Sequence, residues 1–199
     1  MKKIIIFIVT ITMLFSASTE NITMNHKKFS IIQESYDIYD SKGEFIKLYA
    51  DGNSTALVRL TLKDVTGGCA SKSLQDGAYK VDSKGITLYS FWDRGGKAYL
   101  EPYGARIQRF ELQKDGKLKK VSSSIYIEAT RKKHDDGSGM EYLFHAPKNK
   151  TEQAQLDAYV LDMERAYKGK FVLGKEAKIL IKEVKKALQE KVKTRWRKN

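Results

Sequence analysis

Between residues 28 and about 130 this chain alternates apolar and polar residues, and short turn tetrapeptides interrupt the alternation. That pattern constrains the fold most, because a period of two places one set of side chains on each face of a strand. In Ala56-Leu57-Val58-Arg59-Leu60-Thr61-Leu62-Lys63, Val58, Leu60 and Leu62 share one face and Arg59, Thr61 and Lys63 the other. Val121, Ser123, Ile125, Ile127 and Ala129 form a second such face, with Ser122, Ser124 and Glu128 opposite and Tyr126 free to pack on a neighbouring element. The run Ile86 to Trp92 is apolar on both sides, which suits a central strand.

The turns are of one chemical kind. Asp40-Ser41-Lys42-Gly43 and Asp82-Ser83-Lys84-Gly85 are identical, Lys114-Asp115-Gly116-Lys117 is related, and Asp51-Gly52-Asn53 is a fourth. Asp bonds the backbone just ahead of it and Gly supplies positive φ, so each reads as a hairpin tip, with Gly43 and Gly85 expected at positive φ. Their flanks differ, so shared turn chemistry explains the repeat better than duplication does. Strands are expected near 28–39, 44–50, 55–63, 78–82, 86–93, 105–112, 117–130 and 140–145. The first has no clean face and is expected to be bent or bulged. Residues 19 to about 26 are polar and are expected to be frayed.

The pattern changes after Pro147. Asn149 with Glu152 three residues on has capping-box spacing. Leu156, Tyr159, Val160, Met163 and Tyr167 then recur at helical intervals up to Gly169. A second helix from about Lys175 carries the stripe Ala177, Leu180, Ile181, Val184, Leu188 and Val192 opposite Lys178, Lys182, Lys185, Lys186 and Lys193. The short link predicts two antiparallel, neighbouring helices. The expected fold is mainly β (α+β): an antiparallel β-barrel or strongly curved meander, with a sandwich as the alternative, followed by a packed two-helix segment. The division is 1–18 signal peptide, 19–147 β-barrel-like domain and 148–199 helical hairpin with a basic tail.

A leader peptide is expected from Met1-Lys2-Lys3, the twelve-residue run Ile4 to Phe15, and the small residues Ser16-Ala17-Ser18. A span needs about 20 apolar residues, so cleavage near Ser18 and export are expected, to a bacterial periplasm or the exterior. No Cys marks a lipid anchor. Cleavage would remove two lysines and no acid, lowering the formal charge from +13 to +11. Such a charge favours anionic partners. Asn21, Asn53 and Asn149 start glycosylation triplets, read here as chance. Cys69 excludes an internal disulfide framework. An inert thiol is expected there, with pairing between chains as the alternative.

Candidate chemistry is sparse. His26, His134 and His145 are scattered, and His134-Asp135-Asp136 reads as a solvated loop. No nucleophile elbow, phosphate loop or dinucleotide fingerprint occurs, so no catalytic residue, metal or cofactor is assigned and the chain is read as non-enzymatic. The segment Phe91 to Arg106 combines aromatics, arginines, Gly and Pro. Aromatic faces and guanidinium groups bind sugars, anions or stacked rings, so Trp92, Arg94, Tyr99, Tyr103 and Arg106 are candidate ligand residues, against the plainer reading of a capped barrel end. From Lys175 to Asn199 there are ten Lys or Arg and three Glu. Lys182, Lys185, Lys186, Arg195, Trp196 and Arg197 are therefore candidates for an anionic surface, in peripheral membrane contact.

Gly77-Ala78-Tyr79 in its strand loosely resembles the Gly-x-Trp strand of small exported lipocalin-like barrels, with Tyr for Trp and a mid-chain position. No residue role follows from it. The expected function is binding of an apolar or amphiphilic small molecule, or of an anionic lipid or polysaccharide of the envelope. The alternative is an interaction subunit docking a partner protein through the C-terminal helices. Nucleic acid ranks third, since no nucleic-acid motif is present.

Overall fold

Alternation and turn chemistry produce a meander in which each strand pairs with the next. The structure, a computed structural model, describes residues 17–38, 41–67, 72–95, 103–128 and 147–196. Strands β1 (Ala17–Met24), β2 (Lys27–Ile38), β3 (Ser41–Ala50), β4 (Val58–Gly67), β5 (Lys72–Val81), β6 (Gly85–Gly95), β7 (Tyr103–Leu112) and β8 (Leu118–Glu128) run antiparallel in sequence order. Helix α1 (Lys150–Tyr167), the two-residue strand β9 (Lys170–Phe171) and helix α2 (Gly174–Trp196) follow. β9 joins the far edge beside β8, in parallel, making a nine-stranded open sheet.

The fold is mainly β, and among the described residues the edge strands β1 and β9 are not joined, so what the strands form is a strongly curved meander. Two bonds show the curl. The β1–β2 turn meets the β5–β6 turn, with Asn25 N–H donating to the Ser83 carbonyl at 2.7 Å, and Tyr79 Oη donates to Glu20 at 2.8 Å. Both halves thus wrap one core: Met24, Phe29, Ile31, Ile46, Leu48, Leu60 and Leu62 against Ile86, Leu88, Phe110 and Leu112. Burying each such side chain is worth roughly 1.5–3 kcal/mol, so this cluster holds the sheet in its curled form.

Several expectations change. Residues 19 to 26 are not frayed: β1 occupies 17–24, because Ile22 and Met24 reach the core. The long first strand runs in register with both neighbours, and the irregularities lie instead at Glu44/Phe45 and Arg109/Phe110. Gly43 and Gly85 lack positive φ. Gly85 begins β6 and Gly43 is the third residue of β3, and each is small for a steric reason: a Cβ on Gly43 would enter the Tyr36 ring, and one on Gly85 would fall on the Phe110 carbonyl oxygen. The Asp part of the reading stands at Asp82, whose Oδ1 accepts from the Lys84 and Gly85 amides. Gly52 and Gly116 do take positive φ, at 74° and 82°. Val121 is half exposed and outside the face it was expected to share with Ser123 and Ile125. The expected strand 140–145 lies outside the described residues, as do Asp40, Cys69, His134, Asp135, Asp136 and residues 1–16.

The helices form as read but do not pack as a hairpin. Asn149 caps α1, its Oδ1 accepting from Glu152 N–H at 2.9 Å, while Glu152 accepts from Lys148 N–H. Lys168, at φ 50°, closes that helix ahead of Gly169. α2 lies across β5, β6, β7 and β8, on the sheet face opposite the main core, while α1 rests chiefly on β9. The alternation on β6 explains this: Leu88 faces the core and Tyr89 and Phe91 face α2. That second apolar face takes the described part of the α2 stripe, Ala177 to Leu188.

Candidate functional site

The α2 stripe is buried where it meets the sheet. Ala177, Leu180, Val184 and Ala187 pack against the outer face, with Tyr89, Phe91, Ala105, Ile107 and Tyr126 around them, and Ile181 and Leu188 are partly covered. The opposite face carries Lys178, Lys182, Lys185 and Lys186, all exposed. Helical spacing sets them on one side, since residues three and four apart are surface neighbours. Arg195 and Trp196 continue the helix backbone, their side chains and Arg197 lying outside the described residues.

One lysine does not join that face. Lys191 stands seven residues after Val184, on the stripe, and its ammonium group goes inward. It donates to the Gly77 carbonyl at 2.7 Å and lies 3.4 Å from Asp76 Oδ1 and 3.8 Å from Glu44 Oε2. Only 18% of its side chain and 17% of that of Glu44 are exposed. Gln33 donates to the same Glu44 oxygen at 3.0 Å. The reason for this inward lysine is a break in the sheet. β4 and β5 pair only over Asp64–Gly67 and Lys72–Gln75, so beyond them β5 has lost its neighbour. Lys191 satisfies the Gly77 carbonyl and Asp76 Oδ1 the Gly77 amide, as strand partners would.

A cleft of about 430 Å³ opens at this break. Leu62, Ala78, Val81 and Ala187 line it with Glu20, Lys80 and Glu190. Lys80 and Glu190 pair at 2.7 Å, and burial together with the Glu20 hydrogen bond raises the Tyr79 phenol well above its ordinary pKa. The cleft is therefore apolar at its floor, with its charges satisfied in pairs. Its charged members were not singled out from sequence. Lys191 had a readable signal, a lysine on an apolar stripe; Glu20 and Glu44 had none.

The predicted ligand residues are only partly brought together. Trp92 pairs in backbone register with Gly104 on β6 and β7, Arg94 with Ser73, and Tyr103 with Glu128; their side chains and all of Tyr99 lie outside the described residues. Trp92, Arg94 and Tyr103 thus belong to strands rather than to a long loop. Arg106 is largely buried on β7, and burial lowers its pKa while Tyr167 opposes the shift. Among the described residues, no group of three or more His, Cys, Asp or Glu is placed to hold a metal ion, and no helix is long and apolar enough to cross a membrane.

Compared with protein-family models, with curated proteins and with solved structures, the chain matches none.

Proposed function

We propose that this is an exported, non-enzymatic protein of a bacterial periplasm or cell envelope that holds an anionic envelope component on the lysine face of α2. The observation carrying this reading is the division of that helix. Its stripe is fixed on the sheet, which leaves Lys178, Lys182, Lys185 and Lys186 as an exposed cationic row. A helix anchored in this way does not insert into lipid, so its attraction is electrostatic, at about 1 kcal/mol per lysine near an anionic surface. The test is co-sedimentation with anionic phospholipid vesicles at low and high salt. Replacing Lys182, Lys185 and Lys186 with Gln should weaken binding on the order of 100-fold at low salt. Wild-type binding should fall steeply as salt shortens the screening length to below about 10 Å. Equal sedimentation of wild type and variant, or none at either salt, would remove this function.

A second reading, docking of a partner protein through the helices, draws on α1. None of its residues is fully buried, and Leu161 is 47% exposed. Loss of a co-purifying protein on Leu161→Asp, with the lysine variant still retaining it, would favour this reading over the first.

A further inference from the structure

Beyond Gln75, where its ladder with β4 ends, β5 has an open edge. The hydrogen bonds at the two ends of that edge show which residues face it. Asp82 N–H donates to the Gly85 carbonyl across the hairpin at 3.0 Å, so the even-numbered residues of β5 bond toward β6. Alternate residues of an antiparallel strand bond to opposite sides, so the odd-numbered residues turn to the gap. Two contacts agree with this. The Gly77 carbonyl accepts from Lys191 and the Ser83 carbonyl accepts from Asn25 N–H, both at 2.7 Å. Tyr79 and Val81 stand between those two points. Each turns an N–H and a carbonyl to the gap, and among the described residues neither has a backbone partner there. Strand edges of this kind are templates for a further strand.

The gap has room for one. The cleft of about 430 Å³ lies along Tyr79 and Val81, a size within the roughly 300–1,000 Å³ of ligand sites. At its rim Lys80 and Glu190 keep 49% and 46% of their side chains exposed. Lys191 covers one end of the edge and the Asn25 turn the other. The free stretch from Tyr79 to Val81 is therefore roughly 7 Å long, which suits a short extended segment and not a long strand.

Alternation sets the chemistry of that segment. Run antiparallel to β5, its first residue lies opposite Val81, on the side where Val81 packs against the main core. The middle residue lies opposite Lys80, on the side of Ala187. The third lies opposite Tyr79, on the side of Glu20. Lys80 and Glu190 pair with each other, whereas Glu20 accepts from the neutral Tyr79 hydroxyl and, among the described residues, pairs with no cation. An apolar, a small and a basic residue fit these three places in that order.

We propose that the β5 edge at Tyr79–Val81 takes up a short extended segment of a partner protein as an added antiparallel strand, with a basic residue toward Glu20. Main-chain hydrogen bonds give such a contact its affinity and alternate side chains its specificity. The edge is separate from the lysine face of α2, and neither reading rests on the other.

The test uses the full chain and three capped peptides: acetyl-Val-Ala-Lys-amide, the same peptide N-methylated at Val and Lys, and acetyl-Val-Ala-Glu-amide. In the free protein, amide hydrogen exchange should be fast at Tyr79 and Val81 and slow at Ala78 and Lys80, which bond toward β6. The first peptide should shift the Tyr79 and Val81 amide signals in NMR and slow their exchange. The N-methylated peptide should bind about tenfold more weakly, the worth of roughly one backbone hydrogen bond, and the Glu peptide should also bind more weakly than the Lys peptide. Glu20→Gln retains an acceptor for Tyr79 and should abolish the preference for Lys over Glu while leaving the melting temperature unchanged. Two of the three comparisons alter only the peptide, so they stand even if that variant fails to fold. The proposal is overturned if the Tyr79 and Val81 amides are protected in the free monomer, if the Lys peptide shifts neither signal, or if the N-methylated peptide binds as well as its parent. A preference for Lys that survives Glu20→Gln overturns it too. So does a concentration-dependent dimer that protects the same amides, since the edge would then belong to a second copy of this chain.

Discussion

Asp82 shows how much one side chain organises at a hairpin tip. Its carboxylate accepts from two turn amides and takes a two-pronged pair from Arg109, with both contacts at 2.8 Å. Arg109 also donates to Thr87. The Arg109 hydrogen bonds, aided by those amides, hold the Asp82 pKa down at about 2. A carboxyl depressed in the folded state contributes stability above its unfolded pKa of about 3.9 and loses it as pH falls through the folded value. More than half of this side chain is exposed, so solvent screening limits the effect to about 1 kcal/mol. Asp82→Asn should therefore lower the free energy of urea unfolding by about that amount near neutral pH, with the difference gone by roughly pH 2. A difference that persists in acid would assign the effect to turn geometry instead of charge. Gly85 beside it makes a steric prediction. Gly85→Ala places a methyl group on the Phe110 carbonyl and should cost on the order of 2–3 kcal/mol, whereas Gly116→Ala meets open space and only the cost of positive φ, about 1 kcal/mol. Equal costs at the two positions would contradict this account.

The two helices are read alike from their sequence yet are held very differently. Leu180 of α2 is 5% exposed against the sheet, so Leu180→Ala should cost about 2–4 kcal/mol, while Leu161→Ala on α1 should stay within about 0.5 kcal/mol. Native-state hydrogen exchange should show α1 opening well before α2, and matched protection of the two helices would contradict this packing. What was legible in the sequence follows the same division between local and long-range causes. Strand faces such as Leu60 and Leu62, the Asn149 cap and the α2 stripe depend on neighbours within one element, and their periodicity states them. The packing of α2 on β5–β8 depends on Tyr89, Phe91, Ala105 and Tyr126, scattered over three strands, so the sequence left open whether the stripe meets the adjacent helix or the outside of the sheet. β1 was missed because it is mostly polar and brings only Ile22 and Met24 to the core. Gly43 and Gly85 were given the wrong reason, since a clash with Tyr36 or Phe110 appears only once strands are paired. At the candidate sites, Arg106 and the lysine face were legible from residue type. Glu44 was not, because a glutamate within an alternating strand gives no sign of lying on the buried side.

At the scale of the whole molecule, the curl of the sheet ties its first strand to its fifth, and this gives the proposed export a structural consequence. Cleavage after Ser18 falls within β1, yet it spares every side chain by which that strand holds the fold. Ile22 and Met24 stay in the core, Glu20 keeps its bond to Tyr79, and Asn25 keeps its bond to Ser83. Cleavage six residues later would remove all but the last of these. Met24 alone is fully buried, and removing a side chain of that kind costs about 2–5 kcal/mol. A chain beginning at Thr19 should therefore match the longest soluble form in melting temperature and cooperativity. One beginning at Asn25 should lose several kcal/mol and unfold over a broader transition, because the cleft facing β5 would lose its Glu20 wall and the core would open to water at Phe29 and Ile31. N-terminal sequencing of the exported protein should accordingly find Thr19 or a residue immediately beside it. A mature terminus beyond Met24, or equal stability of the two truncated chains, would show that β1 is dispensable and that the curl is held by the remaining strands alone.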